Sequence, residues 1–94
     1  MWNDYYALLI NSDGEYSTAR TKVGDKFHDA YMEARDMAKR HCHEDGWCAW
    51  EIQTEGGCCV KSGRVMKDKG GRVRDAMWPH VHEVEYRKLK PMEA

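Results

Sequence analysis

The chain has 94 residues, a formal net charge of −1 and a composition poor in Val, Leu, Ile and Phe. That length accommodates one domain with one core of modest stability, and leaves no room for a multi-domain enzyme. A near-neutral balance excludes a global field that would draw the protein to nucleic acid or to an acidic membrane.

The N-terminal run MWNDYYALLINSDGE is continuously apolar only from Ala7 to Ile10, so neither a signal peptide nor a membrane span is expected and the chain is read as cytoplasmic. Tyr5 to Asn11 is predicted as a first strand, and Asp13-Gly14 as a turn. Tyr16 to Val23 then alternates, with Arg20 and Lys22 toward solvent, which completes a hairpin.

From Lys26 to about Glu44 the apolar period lengthens to that of a helix, with Phe27, Ala30, Tyr31, Ala34, Ala38 and His41 in one arc. Asp25 is placed to cap the start, and Asp45-Gly46 to supply a left-handed stop. Asp29, Glu33, Asp36, Lys39, Arg40 and His43 fall on the outer face together with Met32. On that face Asp36 and Arg40 have the spacing of an ion pair.

Trp47 to Thr54 aligns Cys48, Trp50 and Ile52 on one face, and Glu55-Gly56-Gly57 turns the chain into Cys58 to Ser62. The three alanines of the helix leave a shallow groove that Trp50 has the bulk to fill. Arg64 to Met66 and Arg72 to Asp75 flank Lys67-Asp68-Lys69-Gly70-Gly71, which reads as a third hairpin or as a basic loop with short strand arms. The loop is preferred. Past Pro79, Val81 to Leu89 alternates as a last strand, and a frayed tail is expected from about residue 90. The fold class is therefore α+β over residues 1–94, one amphipathic helix on an antiparallel sheet of four to five strands, ordered ββαββ with a C-terminal strand.

Charge is unevenly placed. Residues 1–47 carry six Lys/Arg and nine Asp/Glu, a balance of −3, whereas residues 48–94 carry nine and seven, a balance of +2. Lys61, Arg64, Lys67, Lys69, Arg72 and Arg74 are opposed within their stretch only by Asp68. With Trp78 nearby to stack on a base, this segment is a candidate for contact with a phosphate backbone. The four Trp and five Tyr exceed what a one-helix domain easily hides, and rings left at a surface are strong recognition elements.

The Cys and His residues point to no chemistry by spacing. Cys42 and Cys48 are six apart across a helix end, and His80 and His82 are two apart on a strand. Neither is a zinc knuckle, so no metal and no cofactor is expected, with these four as the weak alternative for a zinc-stabilised domain. In a cytoplasmic setting the cysteines are reduced and pack as small hydrophobes. No phosphate-cradling loop and no nucleophile motif is present, and the chain is not expected to be an enzyme.

The segments DAYMEARDMAKRHCHEDG and WCAWEIQTEGGCCVKSG, preceded by the strand pair from Tyr5, resemble small accessory proteins of bacteriophages and mobile elements, among them anti-CRISPR proteins with one helix on an antiparallel sheet. The resemblance covers roughly two-thirds of the chain and is one of architecture. It implies a stoichiometric inhibitor that docks on a host protein or ribonucleoprotein in the host cytoplasm. The acidic surface such inhibitors often use would correspond here to Asp29, Glu33 and Asp36. Pairing of sheet edges between two copies is an expected route to a homodimer.

Overall fold

A computed structural model describes residues 4–17, 21–77 and 90–91. The element order is β1 (Tyr5–Asn11), β2 (Glu15–Tyr16), β3 (Thr21–Gly24), α1 (Phe27–Arg40), β4 (Trp47–Gln53), β5 (Cys59–Lys67), β6 (Val73–Ala76) and β7 (Lys90–Pro91). Across the sheet the strands run β6-β5-β4-β1-β2-β7, and β3 pairs with β1 beside β2. The α+β architecture expected from the sequence is present, one helix on an antiparallel sheet.

The sheet is wider than four to five strands for two reasons. The second arm of the first hairpin is divided into β2, opposite Ile10, and β3, opposite Tyr5 to Ala7. Lys90–Pro91, expected in a frayed tail, instead pairs in parallel with β2. The strand expected over residues 81–89, with Trp78, His80 and His82, lies outside the described residues, as does Arg20.

β1 lies inside the sheet because its sequence can be buried on both faces. Ala7 and Leu9 join the core under the helix, while Ile10 packs with Ala49, Leu8, Tyr16 and Trp47 on the opposite face. β4 pairs with β1 from Tyr6↔Gln53 to Asn11↔Cys48 and with β5 along its other side. The alternation read in β4 holds, since Cys48, Trp50 and Ile52 all enter the helix-side core.

α1 buries Ala30, Ala34, Met37 and Ala38 against the sheet, with Phe27 and Tyr31 packed at the margin. Met37 was absent from the expected arc, and Met32 is exposed as expected. The helix is shorter than the periodicity implies, and its ends differ. Lys26, not Asp25, is the N-cap residue, and it makes no side-chain cap bond. Gly24, at φ 127°, redirects the chain from β3 so that Asp25 falls one position too early.

At the other end the helix stops at Arg40, because the carbonyl of His41 is captured by the buried Asn11 amide at 3.0 Å and Cys42 turns into the core. The left-handed residue is Asp45 itself, at φ 61°, and it belongs to the turn into β4 rather than to the helix cap. The anticipated Asp36–Arg40 pair is replaced by two others. Arg40 reaches back two turns to Glu33 at 3.7 Å, and Lys39 meets Asp36 at 4.0 Å.

One ion pair ties the helix to β6, at the end of the strand order. Arg35 donates from Nε and Nη2 to the two carboxylate oxygens of Asp75 at 2.7 and 2.8 Å. The hydrogen bond from Arg35, before any other influence, lowers the Asp75 carboxyl below its ordinary value of 3.8. A depressed carboxyl stabilises the fold above its unfolded value and loses that contribution as pH falls through the folded one. Asp75 is half exposed, so after solvent screening the pair is worth only ~0.5–1 kcal/mol. Asp75→Asn is expected to lower the stability obtained from urea unfolding by that amount at pH 7 and to have no effect at a pH well under 3.8. Equal losses at both pH values would refute the assignment.

Candidate functional site

The best-supported candidate surface is the β5–β6 hairpin. Arg64 to Lys67 pair with Ala76 to Val73 in uninterrupted antiparallel register. The strand arms expected on either side of the basic loop are thus present and paired, and the loop between them is a short turn, which makes the segment a hairpin. Its turn is built by Asp68, whose Oδ1 accepts hydrogen bonds from the backbone N–H of Gly70 and of Arg72, both at 2.9 Å. Gly71 completes the turn at φ 80°, a conformation that side chains with a Cβ rarely adopt.

This geometry sorts the charges. Asp68 and Asp75 are the two acids of the hairpin, and each carboxylate is engaged within the fold, one by its own turn and the other by Arg35. Lys61, Lys69, Arg72 and Arg74 are exposed, and Arg64 and Lys67 are half-buried. The outward charge of the hairpin is therefore strongly basic.

Strand alternation divides these cations between two faces. Lys61 lies on the helix side, its Nζ 5.1 Å from the centre of the Tyr31 ring. Arg64 lies on the other side, with its guanidinium carbon 5.8 Å from the centre of the Trp47 ring. Arg74, across from Met66 in the ladder, extends that second face. A shallow concavity of about 180 Å³ opens between the Asp45–Trp47 segment and Met66, Lys67, Asp68 and Arg74. Trp47 and Met66 give it an apolar wall, and the two cations border it.

The other residues singled out by sequence distribute differently. Asp29, Glu33 and Asp36 do lie on the outer helix face, but Glu33 and Asp36 are already paired with Arg40 and Lys39. Trp78 lies outside the described residues, and so do His80 and His82. Cys42 and Cys48 are buried in the core as expected of small hydrophobes, whereas Cys58 is exposed and Cys59 partly so. Burial holds the thiols of Cys42 and Cys48 above their ordinary range, which disfavours the thiolate that a nucleophile needs. Cys59 is pushed up to about 11 by burial first, and then by its hydrogen bond to Glu51.

Comparison with protein-family models, curated proteins and solved structures returns no match.

Two groups escaped sequence reasoning. Glu51 is completely buried on β4, with its Oε1 3.4 Å from the Gln53 amide nitrogen. Asp13 and Glu15, from the β1–β2 turn and the start of β2, and His43, from the segment after α1, converge with donor atoms within 4.8 Å of one another. Glu51 gave no signal because a single acid in an apolar strand reads as an outward residue. The His43 group gave none because 28 residues separate Glu15 from His43, and local spacing rules do not reach that far. At the level of topology, no helix among the described residues is long and apolar enough to cross a membrane.

Proposed function

We propose that this chain is a non-enzymatic binding protein that docks on an anionic macromolecular surface through its β5–β6 hairpin. The partner class implied by the architectural resemblance is a host defence ribonucleoprotein of the CRISPR type, and the protein acts on it as a stoichiometric inhibitor. The observation that carries this reading is the charge sorting in the hairpin. Asp75 is neutralised by Arg35 from the helix, which leaves Asp68 as the one acid set against the hairpin's cations, four of which face solvent.

The distribution of cations over two faces favours a cleft that surrounds the hairpin over a single strand that tracks one face of it. A nucleic-acid channel in a larger assembly has that form, and its phosphates supply the complementary charge. The outer helix face fits an acidic mimic less well, because two of its three carboxylates are already neutralised by neighbours. The second reading is a small nucleic-acid-binding module, favoured by the Trp47 ring and the bordering Lys67 and Arg74, which would hold a base between stacking and phosphate contacts.

The two readings separate in one titration series. Purified protein is mixed with a purified CRISPR-type ribonucleoprotein, and separately with naked single-stranded and duplex RNA, over a range of salt. The expected result is a stoichiometric complex with the ribonucleoprotein that weakens as salt rises, and much weaker binding to naked RNA. Equal affinity for naked RNA would transfer the assignment to the second reading, and no association at low salt would reject both.

A further inference from the structure

A second site, independent of the hairpin, lies where the β1–β2 turn meets the segment that follows α1. Nε2 of His43 is 3.2 Å from Oδ2 of Asp13 and 3.4 Å from Oε1 of Glu15. Two carboxylate oxygens thus approach the same imidazole nitrogen. That nitrogen carries at most one proton and can satisfy only one of them well. Both separations also exceed the ~2.7–2.9 Å of a charge-assisted hydrogen bond. These two separations are those of donors sharing one ion, and all three donor atoms lie within 4.8 Å of one another. Ligand atoms bonded at ~2.0–2.1 Å to one tetrahedral zinc ion are ~3.3–3.4 Å apart.

The donors are held before any ion arrives. Asn11, almost completely buried, accepts from the backbone N–H of Asp13 at 3.1 Å and of Glu15 at 3.0 Å through Oδ1. Its Nδ2 donates to Oε1 of Glu15 at 2.8 Å and to the carbonyl of His41 at 3.0 Å. One interior side chain therefore fixes both ligand-bearing segments and orients the very carboxylate oxygen that faces His43. This is the role of an outer-shell partner in a metal site.

A second tie lies beside it. Ser12 N–H donates to the Trp47 carbonyl at 2.8 Å, and Trp47 N–H donates to Ser12 Oγ at 2.9 Å. The approach is close enough to require glycine at position 46, where a Cβ would collide with Ser12 Oγ.

We propose that Asp13, Glu15 and His43 form a binding site for a first-row divalent transition ion, with zinc as the best fit. Two carboxylates and one imidazole make a borderline donor set suited to such ions rather than to magnesium or calcium, which take oxygen alone. With the imidazole neutral, the three groups carry a formal −2 that a divalent ion cancels. Three protein ligands leave at least one coordination position for water or for a donor from a partner.

The test uses the full chain, stripped with a chelator and dialysed, with zinc titrated by calorimetry and cobalt followed by visible absorption. One equivalent of zinc is expected to bind. His43→Ala and Asp13→Asn are each expected to weaken it by at least ~100-fold, the upper range seen for lesser changes around metal ligands. His43 and Asp13 are more than half exposed, so neither change should unfold the protein, and circular dichroism of the apo variants verifies this.

Cys58→Ser is expected to leave zinc affinity unchanged, and bound cobalt should show visible bands without a thiolate charge-transfer band. Absence of saturable zinc binding would overturn the proposal. So would binding that survives in both His43→Ala and Asp13→Asn, loss of binding in Cys58→Ser, or a thiolate band with cobalt.

Discussion

Replacing Trp50 with alanine is expected to cost about 3–5 kcal/mol of folding stability, more than any other single substitution in the described residues. Trp50 is 3% exposed and joins the core beneath α1. Its ring meets the Tyr31 ring edge-on, with centres 5.3 Å apart and planes at 84°. Across the β4–β5 ladder it faces Gly63, where a Cβ would lie 2.8 Å from Cζ2 of the indole. The ring therefore fills the space of two positions. Truncating it leaves a void bordered by glycine and by the alanines of the helix, none of which can extend to close it.

Domains of this size have only ~5–15 kcal/mol in total, so Trp50→Ala should be partly unfolded at 37 °C. Trp50→Phe is expected to cost much less. The indole N–H is buried and finds no acceptor among the described residues, and deleting an unmatched buried donor removes a desolvation penalty. Urea titration at constant slope measures both. A Trp50→Ala midpoint within error of the unsubstituted protein would show that the ring does not organise this core.

The reach of the sequence follows from how local each determinant is. β1 was legible to the residue, because YYALLIN is an apolar run bounded by turn formers. β4 and the turn after it were legible for the same reason, and so was the placing of Trp50 opposite small helix residues. The helix boundaries were not. Periodicity runs on through His41 to Glu44, but the stop is imposed from outside the helix by Asn11, thirty residues earlier in the chain.

The basic segment was legible as charge and in its strand arms, but not in the tight turn that joins them. Two adjacent glycines and a run of cations read as a loop, whereas Asp68 uses its carboxylate to build a tight turn that lets β5 and β6 pair. The turn does not remove the charge of Asp68, but of the two acids Asp75 is neutralised by Arg35, a cation from outside the hairpin, which leaves Asp68 alone against the surrounding cations. Sequence counts charges but does not say which are already paired within the fold. The Asp13–Glu15–His43 convergence was wholly illegible, because it depends on β1 pairing with β4 to bring the two segments together.

Reversing Lys69, Arg72 and Arg74 together to Glu is expected to lower affinity for the anionic partner by at least ~100-fold at moderate salt, since each lost phosphate contact removes about one unit from the salt slope. All three side chains are exposed. Arg72 contributes to the turn through its backbone N–H, which the substitution keeps, so the hairpin itself should persist. The thermal midpoint is expected to change by little, because surface substitutions away from packed or paired groups are nearly neutral. Asp29→Lys with Glu33→Lys, on the outer helix face, serves as the opposing control. If the hairpin is the docking surface, that pair leaves affinity unchanged or raises it by relieving a remote negative field. Were the helix variant to lose binding while the hairpin variant kept it, the acidic face would be the contact surface, and the partner would be the protein subunits of the assembly rather than its nucleic acid.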